Sequence, residues 1–199
     1  MSNNTSATGG YLVPAIADID DDALDDLFAA AIVGVTGLPG DLVRPRWQEP
    51  APKQPPANVN WCAVGIIDDT ADDGAYIVHD PNGGPDGLGQ DTLSRCEDLT
   101  VLATFYGPSA KRIAKQARDG FAVLQNNESL QSVYISFVNT DTIRAIPELV
   151  NGQWVKRYDL RLYFRRALAR TYAIQTIETV GVELHVEDKI SNINVEPQP

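Results

Sequence analysis

The stretch from Trp154 to Tyr172, WVKRYDLRLYFRRALARTY, carries the pattern that decides the fold. Tyr158, Leu160, Leu162 and Phe164 alternate with Arg157, Asp159, Arg161 and Arg165. Successive side chains of a β-strand point to opposite faces, so the alternation predicts a strand over Trp154–Phe164 with one apolar and one charged face. An arginine cluster follows it. Residues 153–172 hold Lys156, Arg157, Arg161, Arg165, Arg166 and Arg170 against Asp159 alone, a balance of 6 − 1 = +5, whereas the whole chain stands at −11. Positive charge gathered on one strand of an acidic protein points to an acidic protein surface as its partner. Nucleic acid fits less well, because the rest of the chain repels phosphate.

The remaining strands and helices are read outward from this one. Residues 1–13 are small and polar and read as a flexible arm. In IDDDALDDLFAAAIVGVTG, Ala23, Leu24, Leu27, Phe28, Ala31 and Ile32 recur at helical spacing, which predicts a helix over about Asp20–Val33, stopped by Gly34 and Gly37. Asp20, Asp21 and Asp22 stand at its start, where the helix dipole favours negative charge. Five prolines between Pro45 and Pro56 predict an extended connector. Trp61–Asp68 reads as a strand, turned at Asp72-Asp73-Gly74 onto a partner at Tyr76–His79, and HDPNGGPDGLGQD (79–91) reads as a loop. Asp98–Tyr106 is a central strand. Ser109 is placed to cap a helix that runs to Arg118 or Phe121, with Ala110, Ile113, Ala114 and Ala117 inward and Lys111, Arg112, Lys115 and Arg118 outward. A helical turn near Glu128–Leu130, a strand at Val133–Val138 and an irregular link at Ile146–Gln153 lead back to the arginine strand. Thr171–Leu184 is a last strand, and residues 187–199 form a tail.

Strands outnumber helices and most connections are short. The expected fold is therefore α+β, a single domain over residues 14–186 with a mainly antiparallel sheet flanked by two helices and extended N-terminal and proline-rich arms. The longest apolar run, Leu27–Val35, is far short of the roughly 20 residues that span a bilayer, so no membrane partner is expected. MSNNTSATGG has neither a basic start nor an apolar segment, and the chain reads as cytosolic or assembled in the cytosol.

Chemistry has little to work with. Two cysteines, Cys62 and Cys96, read as small buried hydrophobes rather than a disulfide. His79 and His185 are the only histidines, and a pairing such as Cys96 with His79 lacks any surrounding nucleophile signature. The loop Asp80-Pro-Asn82-Gly-Gly84-Pro-Asp86 resembles a calcium loop only in outline, since Gly84 stands where a ligand is needed and Asp91 where glutamate is usual. No catalytic residue, cofactor or metal site is expected.

Several separated blocks in order carry a family likeness: GLPGDLVRPRWQ (37–48), NWCAVGI (60–66), FYGPSA (105–110), RDGFAVLQN (118–126) and PELVNGQWVKRYDL with FRRALARTY (147–172). Over about Tyr11–Leu184 the chain resembles bacteriophage neck or tail terminator proteins. The resemblance implies a virion protein of the tail or neck, assembled in the host cytoplasm, that closes the tail tube as a six-membered ring. The implied partners are further copies of itself (a homohexamer), the tail tube protein, a sheath if the tail is contractile, and the head-closure or connector protein. Genomic DNA would pass through the lumen without specific binding, which suits a chain at −11.

Arg157, Arg161 and Arg165 recur every four residues, about 13–14 Å apart at 3.4 Å per residue, beyond the Debye length of about 8 Å. Each has room for its own carboxylate. Two sources stay open: intrachain salt bridges, or a subunit interface formed by Arg157, Arg161, Arg165, Arg166 and Arg170 with Asp21, Asp22 and Asp25 as acidic counterparts. Another connector component, such as a head-closure or tube-like ring, is the alternative of the same class. Alternatives of other classes are a small hydrolase using Cys96 or His79 and an adaptor working through residues 44–57.

Overall fold

The spacing of Leu24, Phe28 and Ile32 produces a helix, α1 (Asp21–Thr36). It opens a computed structural model that describes residues 9–15, 19, 21–48, 50, 53–84, 89–150, 152–175, 180–186 and 189–195. The helix ends where Gly37 takes a φ of +67° and donates its N–H to the Val33 carbonyl at 2.9 Å, a closure open to a residue without Cβ. The Thr36 hydroxyl secures the same turn by donating to the Ile32 carbonyl at 2.6 Å.

A 3-10 turn at Gly40–Leu42 leads to β1 (Val43–Pro45), β2 (Trp61–Ala71), β3 (Tyr76–Asp80), β4 (Gly89–Tyr106) and α2 (Ala110–Phe121). A second such turn (Leu124–Asn127), α3 (Glu128–Gln131), β5 (Ile135–Thr140), β6 (Arg144–Ala145), β7 (Glu148–Val150), β8 (Gln153–Val155), β9 (Arg157–Ile174), β10 (Val180–Val186) and β11 (Lys189–Val195) complete the chain. The main sheet has the order β1-β2-β4-β9-β5, with β3 on β4 and β6 on β9. β1 runs parallel to β2, while the β2–β4, β5–β9 and β6–β9 pairs are antiparallel. The expected α+β class with a mainly antiparallel sheet is borne out.

The chain divides into two compact units. The larger, residues 18–75 and 94–169, contains the three helices found among the described residues and the core. Cys62 and Val64 of β2, Val101, Ala103 and Phe105 of β4, and Leu160, Leu162 and Phe164 of β9 are buried. They share the core with Leu24, Phe28 and Ile32 of α1 and with Ile113, Ala114, Ala117 and Phe121 of α2. Phe164 is the hub: its ring centroid lies 4.9 Å from Phe28, 5.6 Å from Phe121 and 5.7 Å from Phe137. Each such side chain contributes about 1.5–3 kcal/mol by leaving water. The smaller unit, residues 1–17, 76–93 and 170–199, contains β3 and the β10–β11 hairpin. Within it Ala15 donates its N–H to the Thr171 carbonyl at 2.8 Å.

Several expectations change. Tyr76–His79 pairs with β4 rather than with β2. The Asp72–Gly74 segment does not reverse the chain: Asp72 donates its N–H to the Cys96 carbonyl at 2.9 Å, which keeps it alongside an 18-residue β4 long enough to serve both strands. The arginine strand runs on to Ile174, because Arg165 and Arg166 fall on opposite faces and neither breaks the pleat; Trp154 belongs to β8 instead. The irregular link folds as the β7–β8 hairpin, with Gly152 at a φ of +76° in its turn. Residues 189–195 of the expected tail pair with β10, Ile193 opposite Val182. Ser109 does hold the residue before α2, yet its side chain makes no capping bond; the Asn60 side-chain oxygen accepts the Ser109 N–H at 2.8 Å instead. Residues 1–8 of the expected arm lie outside the described residues.

Candidate functional site

The solvent side of β9 is where the sequence placed its charge, and the structure gives each arginine a partner in the same chain. Arg157 grips Asp159 with two hydrogen bonds, 3.0 Å from Nε and 2.9 Å from Nη2, and its Nη1 lies 3.6 Å from Glu148 of β7. The Asp159 hydrogen bonds hold the Arg157 guanidinium in its charged form, raising its pKa against the opposing effect of burial. Arg161 stands 3.9 Å from Asp141, which also meets Arg144 at 3.3 Å. Arg165 bridges Asp72 at 2.6 Å and Asp98 at 2.9 Å, joining the end of β2 and the middle of β4 to β9. Arg166, 3% exposed, lies on the core side of the strand and donates to the Ile19 carbonyl. Arg170 is half-buried near the strand's far end. The five arginines therefore do not form one surface: three share the outer face and Arg166 has the opposite one. Strand alternation already separates Arg165 from Arg166.

At the other end of this face Trp61 and Tyr106, opposite each other across β2 and β4, stack at 4.2 Å with their planes 7° apart. The Arg157 guanidinium carbon is 6.0 Å from the Tyr106 ring centre. Burial pushes the Tyr106 hydroxyl above its usual pKa, with Arg157 pulling it back. An open cleft of about 330 Å³ lies here, lined by Pro55, Pro56, Trp61, Tyr106, Gln153 and Val155. The end of the proline connector forms one wall and β8 another. Sequence alternation marked neither residue, because stacking depends on the cross-strand register.

The acidic start of α1 borders a second concavity of about 460 Å³, formed by Asp22, Asp26, Pro45, Trp47, Gln48 and Pro50. Asp22 and Asp26 are exposed; the Asp21 side chain lies outside the described residues. Asp25 turns inward, and its Oδ1 accepts the Ile66 N–H at 3.3 Å, just past the point where β1 stops covering β2. Burial raises the Asp25 pKa, the Ile66 hydrogen bond lowers it, and Asp22 and Asp26 raise it further. Trp47 rests on Gly65: a Cβ there would stand 3.2 Å from the indole and 3.1 Å from the Arg46 Cβ, so glycine leaves the ring room to approach the sheet.

The residues considered for chemistry are dispersed or enclosed. Cys62 is fully buried, and desolvation pushes its thiol far above the usual range. His79 Nδ1 lies 2.9 Å from Asp91 Oδ1, and the Asp80 carboxylate accepts the Asn82 N–H at 3.0 Å as in an ordinary Asx turn. Among the described residues no group of three or more His, Cys, Asp or Glu is placed to hold a metal ion. No described helix is long and apolar enough to cross a membrane.

No curated protein matches the chain. A family model described as phage neck terminator protein matches residues 22–189, from the first turn of α1 to the start of β11. The match takes in the α+β core, the arginine strand and both concavities, and the chain accordingly belongs to the phage neck terminator family, structural virion proteins of the neck that meet other head and tail components.

Proposed function

We propose that this chain ends the phage tail tube as a closed ring, in six copies, and presents the surface that joins the tail to the head connector, with DNA passing through the ring. The family match over residues 22–189 carries the reading. Charge supports it. The arginines of the outer face are matched by carboxylates of their own chain, whereas Asp22, Asp26, Asp68 and Asp69 are exposed without an ion pair among the described contacts. A subunit of this kind repels phosphate rather than binding it, as a conduit for DNA requires. Of the arginine strand, Arg161 is the member we assign to contact with a neighbouring subunit or tail protein. It is half-exposed, and its own carboxylate is 3.9 Å away, so a second partner has access.

Electron microscopy of lysates from a phage lacking this gene tests the reading. Overlong or headless tails beside full heads are the expected result. Leaking heads beside tails of normal length would move the role to head closure, and normal infectious particles would overturn a structural role altogether.

A further inference from the structure

The outer face of α2 is built against the interest of the helix. Lys111 and Arg112 occupy its first turn, where the dipole disfavours positive charge, and no acidic residue accompanies them there. Lys115 and Arg118 continue the exposed face, and all four point away from the buried Ala110, Ile113, Ala114, Ala117 and Phe121. Arg118 pairs with its neighbour Asp119 at 2.8 Å, but Lys111 and Lys115 meet no carboxylate among the described contacts. Immediately after the helix, Val123 is 51% and Leu124 79% exposed. Apolar side chains rimmed by unpaired charge are the anatomy of an interface.

The complementary surface lies elsewhere in the same unit. Trp47 is 63% exposed, supported from below by Gly65 and flanked by Asp22 and Asp26. Asp68 and Asp69 add exposed carboxylates on β2 beyond the end of β1. The two surfaces belong to opposite edges of the sheet: α2 leans on the β5 edge through the Phe121–Phe137 stack at 5.8 Å, and Asp25 ties the acidic start of α1 to β2.

We infer that copies of this chain dock head to tail, the basic face of α2 with Leu124 entering the Trp47 concavity of the next copy. Different patches on one subunit give a heterologous contact, which closes into a ring when the rotation allows. Lysine and arginine meet both carboxylates and the open indole face there. The inference rests on the ring reading above and adds the surfaces that make the ring.

Charge exchange in the full chain, supplied to a phage lacking the gene, tests it. Lys111→Glu with Lys115→Glu, and separately Asp22→Lys with Asp26→Lys, each lower the yield of infectious particles by roughly 100-fold, while all four changes in one chain restore most of it. Rescue of this kind excludes simple misfolding. Should both single-side variants support wild-type yields while the gene deletion does not, the docking surfaces are wrong and the neck role stands. A gene deletion without effect removes the ring reading itself. Should the four-change chain fail to rescue, Leu124→Cys with Asp26→Cys in a chain also carrying Cys96→Ser decides: after oxidation on assembled particles a ladder of bonded multimers is expected on a non-reducing gel. Monomer alone overturns the docking.

Discussion

Arg165 and Arg166 are consecutive residues of one strand, and their guanidinium groups end in opposite environments. Arg165 spans Asp72 and Asp98 on the outer face, while Arg166 is 3% exposed and reaches the Ile19 carbonyl at the approach to α1. The same side chain is thus an exposed strap in one case and a structural post in the other.

Replacing them separates the two roles. Arg166→Ala removes the charged hydrogen bond to the Ile19 carbonyl and the packed methylene groups of a buried side chain, for a loss of about 1.5–3 kcal/mol. Arg165→Ala leaves the urea midpoint near that of the parent, since solvent screens its two ion pairs. Equal shifts in urea denaturation would contradict this division.

Phe164 touches three aromatic rings contributed by α1, α2 and β5. Phe164→Ala is expected to cost about 3–5 kcal/mol by chemical denaturation, and Phe164→Leu distinctly less. A small loss for the alanine variant would mean that the surrounding rings collapse into the space.

Much of this was legible in the chain. Tyr158, Leu160, Leu162 and Phe164 marked the inner face of β9, and Leu24, Phe28 and Ile32 marked the inner face of α1, because burial imposes its period on each element. The wet face of α2 was equally plain from Lys111, Arg112, Lys115 and Arg118. What could not be read depends on partners distant in sequence. β3 looks like a hairpin partner of β2 until the length of β4 is known, and the Glu148–Val155 hairpin is too short to show alternation. Gly65 carries no local sign that Trp47 lies on it. The acidic start of α1 was visible, but its placement beside Trp47 was not, since that follows from where β1 ends.

Gly107 turns the chain from β4 into α2 at a φ of +103°, and a Cβ there would stand 2.8 Å from the Asn60 Cα and nearer still to the Val59 carbonyl. Strain and overlap with backbone combine, so Gly107→Ala is expected to destabilise by more than about 1–3 kcal/mol. Gly152→Ala, also at positive φ but with open space around it, is expected to cost less. Comparing their thermal midpoints checks the ranking.

Asp25 carries a carboxyl whose pKa is raised in the folded state above 3.8, chiefly by burial. A raised value means that ionisation opposes folding once pH exceeds it. Asp25→Asn keeps an oxygen for the Ile66 N–H and loses the charge, so its thermal midpoint at pH 7 should exceed the parent's. The advantage shrinks as pH falls through the folded pKa and is gone below 3.8, where both states of the parent are protonated. A gain that persists in acid would point to another cause.

Cys62 is enclosed and its thiol is raised from 9.0 by desolvation, whereas Cys96 is partly accessible. A thiol reagent at pH 8 should modify Cys96 in the native protein and reach Cys62 only on unfolding. Because the unfolded thiol ionises first, stability should also fall as pH rises past 9.0. Rapid native labelling at Cys62 would show that the core opens more readily than its packing implies.

At one corner of the sheet, Asn60 holds the Ser109 N–H at a sequence separation of 49, and the Lys156 carbonyl accepts the Gly107 N–H at 3.2 Å. Three distant passages of the chain must be present together before that corner exists. Contacts so remote in sequence slow folding, toward the millisecond-to-second range of sheet proteins. On the ribosome the first hundred residues have no β9 to pair with, so β4 stays without one of its neighbours until synthesis has passed Lys156. The subunit's sheet is thereby completed only after most of the chain has been made.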